Sequence, residues 1–398
     1  MLASLIICAM AVAESPTIEQ LMGEVSPDRL RAAVEKLASF HTRNTLSPTL
    51  NEAAEWLAGE YRKIPGVQVE LWKYVAPRGR RIPEDKEVVQ VIAVLPGKSD
   101  RRILVGGHLD SLNLQVEPAT GRAPGANDDA SGTALALELA RVMAGRKWEN
   151  TLVFVGFTGE EQGLLGARAL ARRAKAEGWK LEAVLNNDTV GSSSNKAGQK
   201  DEHRVRVFSE EWQPGAQSSA AQEGARPRHE SRELARFVEW VVRQRMSDFS
   251  VKLVFRRDRF GRGGDHTPFA EEGYSAVRFI EVHEEYSRQH TPDDLPEFMD
   301  WSYLANVTRA NLAAMAALAD AGPAPTNVRM RRQGHDSEIT WTATQGVKYT
   351  VYWRETTSPT WQNAVEVGES AMYLAEKVNV DDHIFAVGAA GGIPVVAQ

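Results

Sequence analysis

The chain has 398 residues, 42% of them hydrophobic, and its 47 basic and 53 acidic residues leave a formal charge of −6. Such a composition buries a large core and excludes a chain that is disordered over most of its length. No basic run is dense enough for a nucleic-acid groove or an anionic membrane surface, so peptides or small molecules are the expected partners.

Met1 to Ala13 is a short apolar run ending in the small-x-small triplet Ala11-Val12-Ala13, followed by the polar Glu14-Ser15, and it reads as an export signal over residues 1–13. It is shorter than the roughly 20 residues that a spanning helix needs, and no other stretch is as apolar, so no membrane span is expected. Cys8, the only cysteine, lies inside this segment. A mature chain without disulfides suits a periplasmic or secreted protein with a core this large.

From Leu30 to Ile64 apolar residues recur at helical spacing, broken near Leu46-Ser47-Pro48, which predicts two amphipathic helices covering a sheet. Short apolar or β-branched runs follow at Val88 to Leu95, Ile103 to Gly107, Thr151 to Phe157 and Leu181 to Asn186, separated by helical stretches such as Ser131 to Ala144 and Leu164 to Ala176. This alternation predicts an α/β fold with a mixed, largely parallel sheet flanked by helices on both faces. Gly191 to Glu230 reads as a loop-bearing excursion whose one strand-like part is Val205 to Phe208. Helical spacing returns in Leu234 to Arg245 and Tyr303 to Ala319, with strands expected at Val251 to Phe255 and Ala276 to Glu281. Ala321-Gly322-Pro323-Ala324-Pro325 marks a linker, so residues 14–320 form the large domain. Beyond it, Glu338 to Trp341, Tyr349 to Arg354 and His383 to Val387 predict a small all-β sandwich over residues 326–398. The runs Ile339-Thr340-Trp341 and Tyr349 to Arg354 resemble fibronectin type III modules. Such a module serves as a spacer by default, or contacts a surface polymer or a partner.

The residues that carry chemistry stand at the ends of the predicted strands or in the loops after them. Ile103 to Gly107 runs into His108-Leu109-Asp110, an imidazole and a carboxylate at the edge where open α/β sheets place their sites. Asp110 suits a role in orienting the imidazole, although such a pair is more often a plain hydrogen bond. The turn-rich segment Pro124 to Gly132 brings Asp128 before a helix, where Asp129 or Ser131 serves equally well as an ordinary cap. After the strand ending at Phe157 come Glu160 and Glu161, adjacent carboxylates that point in different directions and suit different tasks. The alternative for them is an acidic helix N-terminus. Asp188 ends a further strand, and His290 lies in the loop after the strand ending at Glu281. None of these is specific alone. Together they make a thiol-free oxygen and nitrogen set of the kind that a catalytic zinc site prefers.

In that order the motifs resemble the co-catalytic di-zinc aminopeptidases of bacteria and their relatives, the leucyl aminopeptidase type, over roughly residues 30 to 320. The resemblance implies a zinc exopeptidase fold and two Zn²⁺ ions, one bound by His108 and Asp188, the other by Glu161 and His290, with Asp128 bridging them. It further implies that Asp110 orients His108, that Glu160 is the catalytic base and that peptides are the substrates. Gly264 to Phe269 matches a family segment to which a structural or substrate-side role is assigned. His203, His229 and His283 have no counterpart, and solvated or capping roles are expected of them; His41, His335 and His383 carry no functional expectation. The same fold also hosts metallo-carboxypeptidases, which need a basic residue such as Arg262 or Arg278 for the substrate carboxylate. It hosts glutaminyl cyclases as well, and binding proteins that have lost their ligands.

Overall fold

The computed structural model describes residues 15–116, 119–209, 230–333 and 335–398. The export signal expected at residues 1–13, residues 210–229 of the loop excursion and His229 lie outside them.

Three helices come first: α1 (Ile18–Gly23), α2 (Pro27–Ala38) and α3 (Thr49–Arg62). Ser26 starts α2 by accepting the Arg29 amide at 3.3 Å, with Pro27 at the first helical position, where its missing N–H is no loss. Strands and helices then alternate: β1 (Gln68–Ala76), β2 (Lys86–Leu95), β3 (Arg101–His108), α4 (Ser131–Met143), β4 (Thr151–Phe157), α5 (Leu165–Ala176) and β5 (Lys180–Asn187). They are followed by β6 (Arg204–Phe208), α6 (Glu230–Arg245), β7 (Ser250–Val254), α7 (His266–Glu271), β8 (Ala276–Glu281) and α8 (Trp301–Asp320).

The eight strands form one sheet in the order β1-β2-β4-β3-β5-β8-β6-β7. Its middle, β4-β3-β5-β8, is parallel throughout, while β1, β2 and β6 add antiparallel pairings. The mixed, largely parallel sheet expected from the sequence is therefore what forms. β4, Thr-Leu-Val-Phe-Val-Gly-Phe, is buried at every position because helices cover both faces. On one face Leu21, Leu37, Leu57, Leu135, Val238 and Leu312 bring six helices together. On the other, Leu170 of α5 and Phe269 of α7 pack on Val153, Val155 and Phe157. The sequence reading omits α1, β1 and α7. β1 is an edge strand whose residues are mostly exposed or half-buried, and α7 is only six residues long.

Two antiparallel sheets make up the C-terminal module. β9 (Thr326–Gln333), β10 (Asp336–Thr342) and β13 (Met372–Ala375) pair in the order β13-β10-β9. β11 (Tyr349–Glu355), β12 (Asn363–Gly368), β14 (His383–Ala389) and β15 (Val395–Val396) pair in the order β12-β11-β14-β15. Between them lie Ile339, Trp341, Tyr349, Val351, Phe385 and Val387. The module is docked rather than tethered. Trp240 of α6 meets the Tyr352 ring edge-on at 5.8 Å, and Trp361 beside it is fully buried. Arg236 Nε donates to the Pro359 carbonyl at 2.9 Å, and Arg243 Nη2 donates to that of Trp361 at 2.6 Å.

Candidate metal centre

The four adjacent parallel strands deliver their C-terminal ends to one place. His108 is the last residue of β3, Glu160 and Glu161 follow β4, Asp188 follows β5, and the loop after β8 returns with His290. Asp128 comes from the loop that joins β3 to α4. The side chains of Asp128, His108 and Asp188 bring one ligand atom each within 4.8 Å of the others, and so do those of Asp128, Glu161 and His290. Glu160 joins His108 and Glu161 in a third such group.

Asp128 divides its two oxygens. Oδ1 is 3.0 Å from His108 Nε2 and Oδ2 is 3.2 Å from His290 Nε2. His108 Nε2 also faces Asp188 Oδ1 at 3.8 Å, and His290 Nε2 faces Glu161 Oε1 at 3.2 Å. Ligands about 2 Å from a tetrahedral zinc ion stand roughly 3.3 Å apart, so these separations suit one ion on each side of Asp128. The tautomer suits it too. His108 Nδ1 is 2.9 Å from the Asp110 carbonyl, which can only accept, so Nδ1 carries a proton and Nε2 turns its lone pair to the carboxylates. A lone pair between carboxylate oxygens requires a cation there, either a proton or a metal. Without metal the proton takes the place. Burial by itself would lower both imidazoles, but Asp128 and Asp188 hold His108 well above its ordinary value, and Asp128 and Glu161 hold His290 up at about 11. The donor set and its spacing thus fit zinc, and none of the ligand atoms is a sulfur.

The expectation for Asp110 needs correction in its detail. The imidazole is held by the main-chain carbonyl of Asp110, whereas its carboxylate lies 3.8 Å from Nδ1. That carboxylate instead accepts the main-chain N–H groups of Glu160 and Glu161, both at 3.2 Å, and so fixes the turn carrying the two glutamates. Arg81, from the β1–β2 connection, donates to the Glu161 carbonyl. Desolvation raises the Glu160 carboxyl well above its ordinary range, with nearby Glu161, Asp188 and Asp265 adding to the rise and His108 opposing it.

Several supporting residues escaped the sequence reading. Asp129 is more than a cap: its carboxylate accepts the N–H of His108 at 2.9 Å, of Gly132 at 2.8 Å and of Thr189 at 3.3 Å, tying three ligand-bearing segments together. Gly132 is required beside it, because a Cβ there would stand 2.1 Å from the Asn187 carbonyl and 2.6 Å from Asp129 Oδ2. Asp294 accepts the N–H groups of Asn127 and Asp128, both at 2.9 Å. Buried Arg43 donates to the carbonyls of Leu37, Leu109, Pro124 and Gly125. Arg278, weighed above as a carboxylate-binding residue, is fully buried and already faces Asp188 at 2.9 Å and Asp258 at 2.8 Å. Arg262 is exposed, its guanidinium 5.9 Å from the Tyr286 ring. His266, in the Gly264 to Phe269 segment, bonds the Arg257 carbonyl through Nε2 at 2.7 Å.

The family model described as "Peptidase family M28" matches residues 90–315. A "Probable zinc metalloprotease" of the fungus Pyricularia oryzae is 39% identical, the match covering 94% of this chain and 82% of that protein. Its fungal source means that this match does not speak for a bacterial origin. The fold is shared with an aminopeptidase from Aneurinibacillus sp. strain AM-1 (TM-score 0.57, 16% identity, 77% of this chain and 97% of that one). It is shared as well with a glutaminyl cyclase of Fimbriiglobus ruber (TM-score 0.54, 20% identity, 73% of this chain and 94% of that one).

Proposed function

This chain belongs to peptidase family M28, and on that premise we propose that it is a zinc-dependent exopeptidase that removes residues from the N-terminus of peptides. One observation carries the reading: the two oxygens of Asp128 face two different imidazoles, each with a second carboxylate beside it. His108 and Asp188 would hold one zinc, Glu161 and His290 the other, and Asp128 both.

Zinc bound there supplies Lewis acidity, polarising the scissile carbonyl and making water a nucleophile near neutral pH. Asp129 and Asp294 hold the segments of His108 and Asp128 in place through their main-chain amides. Asp110 fixes the glutamate turn, so Glu160 and Glu161 keep separate directions. Glu160, which stands with His108 and Glu161 at the same place, would as a carboxylate take a proton from the attacking water and return it to the leaving amine. The burial and existing partners of Arg278 disfavour a carboxypeptidase that would use it to bind the substrate's terminal carboxylate. Export to a periplasm or medium belongs to this proposal on the strength of the leader alone, and the strand order of the C-terminal module agrees with a fibronectin type III-like sandwich.

The test is the mass of the products formed by the purified full chain, with added zinc, from an unblocked peptide that begins with glutamine. Loss of the first residue supports the proposal. Loss of ammonia alone would make the protein a cyclase, and loss of the last residue a carboxypeptidase.

A further inference from the structure

We propose that Arg278 is a positioning residue acting through Asp188, and that it makes the His108–Asp188 metal position the weaker of the two. The inference rests on the two-zinc reading above and deepens it.

Asp188 is shared. Its Oδ1 lies 3.8 Å from His108 Nε2, while its Oδ2 lies 2.9 Å from Arg278 Nη2. Arg278 and Asp258 are fully buried and Asp188 nearly so. A guanidinium cannot shed its charge at any working pH, so a permanent cation stands against a ligand of one position. It cannot swing away either, since Nη1 is held by Asp258 at 2.8 Å and by the Gly263 carbonyl at 2.9 Å. Asp258 is fixed in turn by Arg259 Nε at 3.1 Å. The Arg278 Nη2 contact lacks hydrogen-bond geometry and is charge against charge. An ion beside His108 therefore receives one oxygen of a carboxylate whose charge is already partly spent, and it feels the guanidinium through a poorly screening interior. The other position has no equivalent. Glu161 Oε1 faces His290 Nε2 at 3.2 Å and has no arginine paired with it among the described residues, and Arg81 donates to the Glu161 main-chain carbonyl.

The measurement is zinc affinity, by calorimetry or competition with a chromophoric chelator, on the full chain. Wild type is expected to bind two zinc ions with clearly unequal affinities. Removing Arg278 alone would strand buried Asp258, so the informative variant is Arg278→Met/Asp258→Asn, which deletes opposite charges together. It should tighten the weaker constant by about 10–100-fold, the usual reach of groups behind a ligand, and leave the stronger one unchanged. Asp258→Asn alone leaves the guanidinium less neutralised and should weaken that same constant. Opposite shifts from two changes in one buried pair are not what a loss of packing gives. Two equal affinities in wild type, or a double variant that binds two zincs without tightening, would overturn the proposal and leave the two-zinc reading standing. A wild-type chain that holds one zinc in total would overturn that reading, and this inference with it.

Discussion

Asp294→Asn tests whether Asp128 is held in place by its main chain. In the native loop the two oxygens of Asp294 accept the amides of Asn127 and Asp128 at 2.9 Å each, out of reach of solvent. Asparagine keeps the shape but offers one oxygen and one NH₂, so one buried N–H is left facing a donor. Leaving such a group without its acceptor costs about 1–3 kcal/mol. At 1.4 kcal/mol per tenfold, the full cost placed on metal binding would weaken it by roughly 5–150-fold. The loop is also part of the buried structure, so some of the cost should appear as lost stability without metal. Thermal unfolding in a chelator, followed by a zinc competition titration, separates the two. The melting temperature in chelator should fall by a few degrees, and zinc binding should weaken at both positions, because Asp128 serves both. An unchanged melting temperature with unchanged affinities would refute the reasoning, and a loss at one position only would refute the sharing of Asp128.

Glu160→Gln should keep both zinc ions by elemental analysis yet lower kcat by roughly 10²–10⁴-fold, the range for losing a general base; near-normal turnover would remove Glu160 from that role. Zinc binding should release protons at pH 7 to 8, because His108 and His290 are held protonated without metal and must be neutral to ligate. Calorimetry in buffers of different ionisation enthalpy reads this directly, and a buffer-independent heat would contradict it. Trp361→Ala should destabilise the protein by about 3–5 kcal/mol, since the side chain is fully buried at the contact with α6. A small change in chemical denaturation would mean that the C-terminal module is tethered after all.

What the sequence made legible follows from burial and period. β4 is covered on both faces and reads as a continuous apolar run, and β8 is equally buried, so both stand out from their surroundings. His108 and Asp188 stand out because each closes such a run and Glu161 because it follows one by four residues, whereas Asp128 and His290 lie in loops and gain meaning only beside the others. β1 is hidden because it is an edge strand carrying Glu70 and Lys73 on exposed or half-buried positions. The supports of the site are hidden for another reason. Asp294 meets Asp128 across 166 residues, and Arg278 meets Asp188 and Asp258 only once three segments converge. A carboxylate or guanidinium with such partners looks in sequence like any solvated charge. The glutamate turn shows the same limit: the spacing of His108 and Asp110 suggests a side-chain pair, whereas the ring takes the carbonyl and frees the carboxylate for Glu160 and Glu161. Docking of the C-terminal module depends on Trp240, which in α6 reads as one more residue of an amphipathic helix.

The most direct measurement is the number of zinc ions retained per chain after reconstitution and gel filtration, for wild type and for Asp128→Ala. Two ions in wild type, with loss at both positions in the variant, is the expected result. One ion in wild type, or a variant that keeps both, would contradict a carboxylate shared between two metals.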